Sequence, residues 1–469
     1  DVTACDVNAM DGSPDERRNR ARMWHDWFRA RFAANVPYDR IARGVVTATS
    51  REGLALKAWI DAEVGRSRAG GATDYAKRDT LDLYWRRFEN NEEYFPLEKM
   101  AELAATAFLG VRLECAQCHR HPFDRWTQTD YRAFANTFGR VRFDSSTELT
   151  SAVVDLLEER RKLPPEKLGP PIPRLREVYL TKRPRTLRHP ETGVELKPRA
   201  LGGPDLVGED AREALADWMT RQDNPYFAKA FVNRVWAHYF GAGLIDPVDD
   251  LAASNPPSNE RLLEALAADF AKSGYDVRRL EKTILMSRTY QLSSTPNDTN
   301  RGDRVNFSRA YPRPMMAEAV LDVLNDALGS KEEFGNDAAA GARAVEVATN
   351  NVRSGYAARV FRVFGRPTRT ATCDCERPTG PALPQTLFLM TDAGLLKKIT
   401  DGRLAKLLAA KAPDAKIVDE LFLATLSRLP DAGEKAAALD RVSAAPDREA
   451  GLTDVLWALV NTREFILNH

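Results

Sequence analysis

The sequence predicts a mainly α fold in more than one domain, and three observations carry that expectation. Apolar residues recur at helical spacing over most of the chain, capping residues punctuate those runs, and only 163–204 has the proline-rich texture of a linker. At 469 residues, with 43% hydrophobic and 29% charged side chains, there is enough apolar surface for two or three cores.

The elements follow in order. Ser13-Pro14-Asp15-Glu16 is a capping box with proline at the first helical position, and Met23, Trp24, Trp27, Phe28 and Phe32 continue a helix of about 20 residues. A second helix runs through Leu97, Met100, Leu103, Ala104, Ala107 and Phe108 to Gly110, a C-terminal cap that delivers the chain to Cys115. A third begins near Thr129, with Tyr131, Phe134 and Phe138 on one face. The segment 163–204 reads as a linker with a β-hairpin turning at Pro190-Glu191-Thr192-Gly193. Helical periodicity returns after Asp205 in "REALADWM", "FAKAFVNRVWAHYF", "NERLLEALAADF" and "MMAEAVLDVLNDAL", and two helices close the chain, through Ile417–Leu426 and Leu456–Val460. Residues 329–369 are rich in Ala, Gly and Val without a clear period and are expected to be irregular or strand-like. The division is therefore a helical domain over 1–162, the linker over 163–204 and a mainly helical domain over 205–469.

Charge narrows the partners. Lys plus Arg (68) nearly cancels Asp plus Glu (67), so no global field argues for nucleic acid. No run of about 18 apolar residues is present to span a bilayer, and the start at Asp1 suits a mature exported protein. Five cysteines are too few for a disulfide scaffold and sit as Cys115-x-x-Cys118, Cys373-Asp-Cys375 and a lone Cys5.

Chemistry concentrates at "CAQCHRHPFDRW". Cys115 and Cys118, three residues apart, are spaced to add to two vinyl groups of one haem, and His119 directly after them is placed to meet the iron as an axial ligand. A zinc site would need two more ligands, and Cys373 and Cys375 are the only other cysteine pair. His121 is expected to hydrogen-bond a haem propionate or a backbone carbonyl.

The stretch "AFLGVRLECAQCHRHPFDRWTQTDYRAFANTF" resembles the cytochrome-type domain of large secreted proteins of planctomycetes. "VNRVWAHYFGAGLIDPVDDLAASNPPSNERLLEALAADF", "SRTYQLSSTPN", "FGRPTRTATCDCERPTGPALPQTLFLMTD" and "LWALVNTREFILNH" resemble its C-terminal companion domain of unknown function. The resemblance implies covalent haem and export, in the periplasm, at the cell surface or beyond it. It implies no reaction.

The second face of the iron decides what such a haem does. His238, among aromatics in "RVWAHYF", is the candidate sixth ligand, weighed against a core histidine; Met100 is the thioether alternative. Arg234, with Asn233, is a candidate for the propionates. Asp246, Asp249 and Asp250, followed by Ser254 and Asn255, offer oxygen ligands for calcium, although capping and turn formation explain them as well. Cys373 and Cys375 either close a small strained disulfide, ligate a metal or the haem iron, or lend one sulfur to a bridge with Cys5. Three functional classes remain: an electron-transfer cytochrome that docks a partner or neighbouring subunit in the cell envelope, a haem-dependent enzyme on an extracellular substrate such as a carbohydrate, and a surface-assembly protein in which haem is structural. No Gly-rich nucleotide loop, Ser-His-Asp pattern or His-Glu-x-x-His is present, so catalysis would rest on the haem.

Overall fold

The capping box at Ser13 forms as its spacing requires: the Ser13 hydroxyl accepts from the Glu16 amide, the Glu16 carboxylate accepts from the Ser13 amide, and the helix runs Pro14–Ala33. Reciprocal caps of this kind are worth about 1 kcal/mol each. The computed structural model describes residues 3–68, 74–88, 95–168, 171–348, 352, 355–370 and 383–468. With 54% helix and 4% strand it bears out the mainly α class.

Two compact units divide the chain. The first holds Asp1–Gln291, Asp303–Phe307 and Arg369–Cys375; the second holds Leu292–Gly302, Ser308–Thr368 and Glu376–His469. The helices after Asp205 thus share a unit with the N-terminal residues as far as Gln291. The reason is visible at Arg43, which pairs with Glu213 at 2.6 Å, and at Arg212, fully buried with its Nη1 donating to the Ala48 carbonyl at 3.0 Å.

In the first unit the helices Leu97–Ala104, Gln128–Ala135 and Phe227–Phe240 fall where the periodicity puts them. Trp27, Trp59, Trp85, Tyr84, Phe134 and Phe138 are its fully buried bulk. The strand pairing differs from expectation. Val141–Asp144 pairs antiparallel with Glu177–Leu180, whereas the expected hairpin contributes only one bridge, Arg188 to Glu195, around the turn closed by His189 and Val194. Pro184, Pro190 and Pro198 withhold amide donors on both sides of that turn, so the ladder does not extend.

A network of buried charges ties this unit together. Asp82 accepts from the Ser50 hydroxyl and from the Tyr75 hydroxyl, both at 2.6 Å, with Arg78 at 3.8 Å and Arg86 at 3.7 Å. Arg86 continues to Glu63 at 2.7 Å, on the helix Leu56–Arg68, and the Ser50 hydroxyl accepts from the Val178 amide of the second strand at 2.8 Å. Burial alone would raise the Asp82 pKa; Arg78, Arg86 and the two hydroxyls outweigh it and hold the carboxyl at about 2.

The second unit packs Ala317–Leu328 against Gly355–Val363 and Asp414–Leu426, and Asp414–Leu426 against Arg448–Val460, around Leu321, Leu324, Leu421 and Leu456. Its Gly355–Val363 helix, with the 3-10 turns Gly335–Asp337 and Ala344–Glu346, replaces the expected irregular or strand-like segment. Val360 and Phe361 are the buried side of that helix, which is too short for its period to stand out among the surrounding small residues. Among the described residues no helix is long and apolar enough to cross a membrane.

The network makes a prediction. A folded-state pKa of about 2 against about 3.9 unfolded means that Asp82 contributes fully above about pH 4 and loses its contribution as pH falls through about 2. Asp82→Asn leaves Arg78 and Arg86 without that charge and should cost about 3 kcal/mol in urea unfolding at pH 7. The loss should shrink toward pH 2; a cost independent of pH would contradict this role for Asp82.

Candidate functional site

The site is built by the way one helix stops. Leu97–Ala104 continues as a π turn over Ala105–Leu109 and ends at Gly110, whose φ of +64° is the left-handed conformation that favours glycine. A Cβ at Gly110 would sit 2.7 Å from Leu251 Cδ1 and 3.2 Å from Ala230 Cβ. The Gly110 carbonyl accepts from the Leu251 amide at 2.8 Å, so the chain is pressed against the Phe227–Phe240 helix as it leaves. One turn earlier Arg234 Nη2 donates to the Thr106 carbonyl at 2.6 Å, and one step later Arg112 pairs with the buried carboxylate of Asp249.

From there Leu113 and Ala116 are buried and anchor a 3-10 turn over Glu114–Gln117, leaving Cys115 and Cys118 exposed. Cys115 lies within that turn and Cys118 caps its C-terminal end, so both thiols belong to one short surface turn. The loop that follows is pinned at four points. Gln128 Nε2 donates to the Gln117 carbonyl at 2.8 Å, the His121 amide donates to the Trp126 carbonyl at 2.8 Å, the Asp124 carboxylate accepts from the Ala253 amide at 3.4 Å, and Arg125 donates to the Tyr226 hydroxyl while its guanidinium lies 4.7 Å from the Trp126 ring centre. Phe123 stands out, 69% exposed.

His119 is exposed, and its Nδ1 lies 2.7 Å from the Arg120 carbonyl. A carbonyl only accepts, so Nδ1 carries the proton and Nε2 keeps a lone pair. This arrangement, two exposed thiols on one surface turn and an imidazole whose neutral form keeps the Nε2 lone pair directly after them, fits the demands of thioether attachment and axial ligation of a haem. Among the described residues no three His, Cys, Asp or Glu side chains converge to hold a metal ion, and Cys373 and Cys375, the other cysteine pair a zinc site would need, lie outside them.

Other candidates fall elsewhere. His121 does not donate to a carbonyl; its Nδ1 accepts from the Phe123 amide at 3.3 Å and closes the turn. Arg234 is buried with its Nη2 donating to the Thr106 carbonyl, and Asn233, fully buried, clamps the chain at Ile245 and Val248. Met100 is fully buried in the helix core. His238 is exposed near the C-terminal end of Phe227–Phe240, whereas the Cys115 loop meets the opposite end at Tyr226. Twelve residues of helical rise, about 18 Å, separate His238 from that contact at Tyr226.

Asp246, Asp249 and Asp250 form no calcium cage: Asp249 is committed to Arg112, and the Asp246 and Asp250 backbone carbonyls accept from Asn255 in a turn. Cys5 is buried, and burial raises the pKa of its thiol; its candidate bridge partners are not described. Cys373 and Cys375 lie outside the described residues. The residues that sequence reasoning passed over are Arg112, Asp124, Arg125, Gln128 and Tyr226. Their only signal was the position of "DRW" just after the motif and of "NPYF" just before a helix.

Two family models match the chain. Residues 2–143, which hold the loop, match PSCyt2, a protein of unknown function (DUF1549), and residues 211–442 match PSD1, a protein of unknown function (DUF1553). The pair is consistent with a planctomycete-type protein carrying the companion domain. No curated protein and no solved structure matches.

Gly110 is the position to test. Gly110→Ala meets both a left-handed φ and atoms at 2.7 Å, and should cost about 3 kcal/mol. Gly53→Ala, with φ +80° but open space around it, should cost only about 1 kcal/mol. Equal losses in chemical unfolding would show that the close approach to Leu251 and Ala230 carries no weight.

Proposed function

We propose that this chain is an extracytoplasmic c-type haem redox protein, with haem joined covalently to Cys115 and Cys118 and His119 Nε2 as axial ligand, and that it transfers electrons to a partner or neighbouring subunit in the cell envelope. The observation that carries the reading is the exposure of both thiols on one surface turn together with the Nδ1 contact that, in the neutral ring, leaves the Nε2 lone pair of His119 for a ligand bond. Bound there, a haem supplies a one-electron couple. The chain's own contribution is position: the Gln117–Gln128, His121–Trp126 and Arg125–Tyr226 contacts hold the attachment loop in one conformation, and exposure of the loop puts the couple within reach of a docking partner.

The test is attachment. Produced with a haem-ligation system in an oxidising compartment, the chain should keep its haem in acid acetone, and Cys115→Ala/Cys118→Ala should lose it. Covalent haem persisting in that double variant, or none in the unaltered chain, would overturn the assignment.

A second reading, a haem-dependent enzyme on an extracellular substrate, is favoured by the position of His238. With the leading candidate for a sixth ligand about 18 Å along its helix from the loop's contact at Tyr226, the distal face is left to small molecules. On this reading the ferric protein is high-spin by electron paramagnetic resonance and binds cyanide readily, and His238→Ala changes neither property. A low-spin spectrum that turns high-spin in His238→Ala would instead restore His238 as a ligand and favour the pure electron carrier.

A further inference from the structure

The first unit holds a cavity of about 730 Å³ that takes no part in the Cys115 loop. It is bounded by the chain from Asp6 to Gly12, the first turns of Pro14–Ala33, and Phe88, Phe95 and Leu103, which give it an apolar side. Six cationic side chains line it against three carboxylates, and the carboxylates are already engaged. Asp11 is held by Arg20 and approached by Arg86 at 3.6 Å, the Glu16 carboxylate accepts from the Ser13 amide at 2.7 Å, and Asp6 accepts from the Asn8 amide at 2.9 Å.

Among the described residues, two of the arginines form no ion pair with a carboxylate. Arg87 is 5% exposed, donates to the Tyr84 and Thr3 carbonyls at 2.9 Å and 2.6 Å, and lies over the Trp24 and Tyr84 rings. Arg17 donates to the Gly12 and Asn8 carbonyls at 2.9 Å and 3.4 Å. Burying a guanidinium is costly without an anion, and carbonyls and ring faces compensate only part of that cost. Arginine forks match oxyanions in planar, paired hydrogen bonds. We propose that this cavity binds a small organic polyanion, with at least two carboxylate, phosphate or sulfate groups on a partly apolar frame.

The proposal is independent of the haem assignment and is tested without it. Isothermal titration of the full chain with citrate and with inorganic phosphate, each at ionic strength matched with sodium chloride, should give saturable binding of at least one probe. Citrate alone would indicate a polycarboxylate ligand, phosphate alone a phosphorylated one. Arg17→Gln, whose side chain meets only backbone carbonyls, should fold and weaken that binding by about tenfold. Arg18→Gln, on the same helix but outside the cavity lining, should leave it unchanged. No saturable binding of either probe, or equal affinity in Arg17→Gln, would overturn the proposal.

Discussion

The close approach of Gly110 to the Phe227–Phe240 helix is the constraint on which the candidate site depends. Only a residue without a Cβ takes φ +64° with Leu251 and Ala230 this near, and only that conformation ends the π turn where the chain can be handed to Arg112 and the Cys115 turn. Everything downstream is registered to it. Leu251 and Ala253, on the stretch that returns from Phe240 along the same helix, reach the Gly110 carbonyl and the Asp124 carboxylate, and Asn233 holds that return at Ile245 and Val248. A motif matched by one family model is thus set in place by residues matched by the other, within a single compact unit.

Stability and chemistry are separated in this unit. Asp82, Arg86, Glu63 and Ser50 form a buried polar network that locks the N-terminal helices to a strand pair, whereas the thiols and His119 sit on a surface turn anchored by the buried Leu113 and Ala116. A braced, exposed turn suits attachment of a large planar group after folding, because the reacting thiols need be neither unburied nor moved. Cys5 shows the opposite case, a buried residue whose thiol pKa is raised by burial.

Much of the fold was legible because its signals are local. The capping box at Ser13, the apolar stripe from Leu97 and the glycine at 110 each act within a few residues, and each appears in the structure where expected. What escaped depends on distant partners. Nothing local marks Glu177–Leu180 as the partner of Val141–Asp144, and the helix Gly355–Val363 is declared by burial against Ala317–Leu328 rather than by its own short pattern. The same limit governed the site. The cysteines and His119 are read from their spacing, but an aromatic-rich helix reveals nothing of which end docks on the loop: His238, the candidate sixth ligand, is exposed at one end while the loop meets the other at Tyr226, and Arg234, the candidate for the propionates, is buried against the Thr106 carbonyl. Asp249 read as a calcium ligand and is the partner of Arg112, a pairing 137 residues apart in sequence.

The central claim is that the thiols of Cys115 and Cys118 are the points of covalent attachment. Trypsin cutting after Arg112 and Arg120 releases Leu113–Arg120, which contains both cysteines and His119 but not His121. Mass mapping of that peptide from protein matured in an oxidising, haem-ligating compartment should find it carrying one haem, with neither thiol open to alkylation. Recovery of the unmodified peptide with two alkylated cysteines would contradict the account.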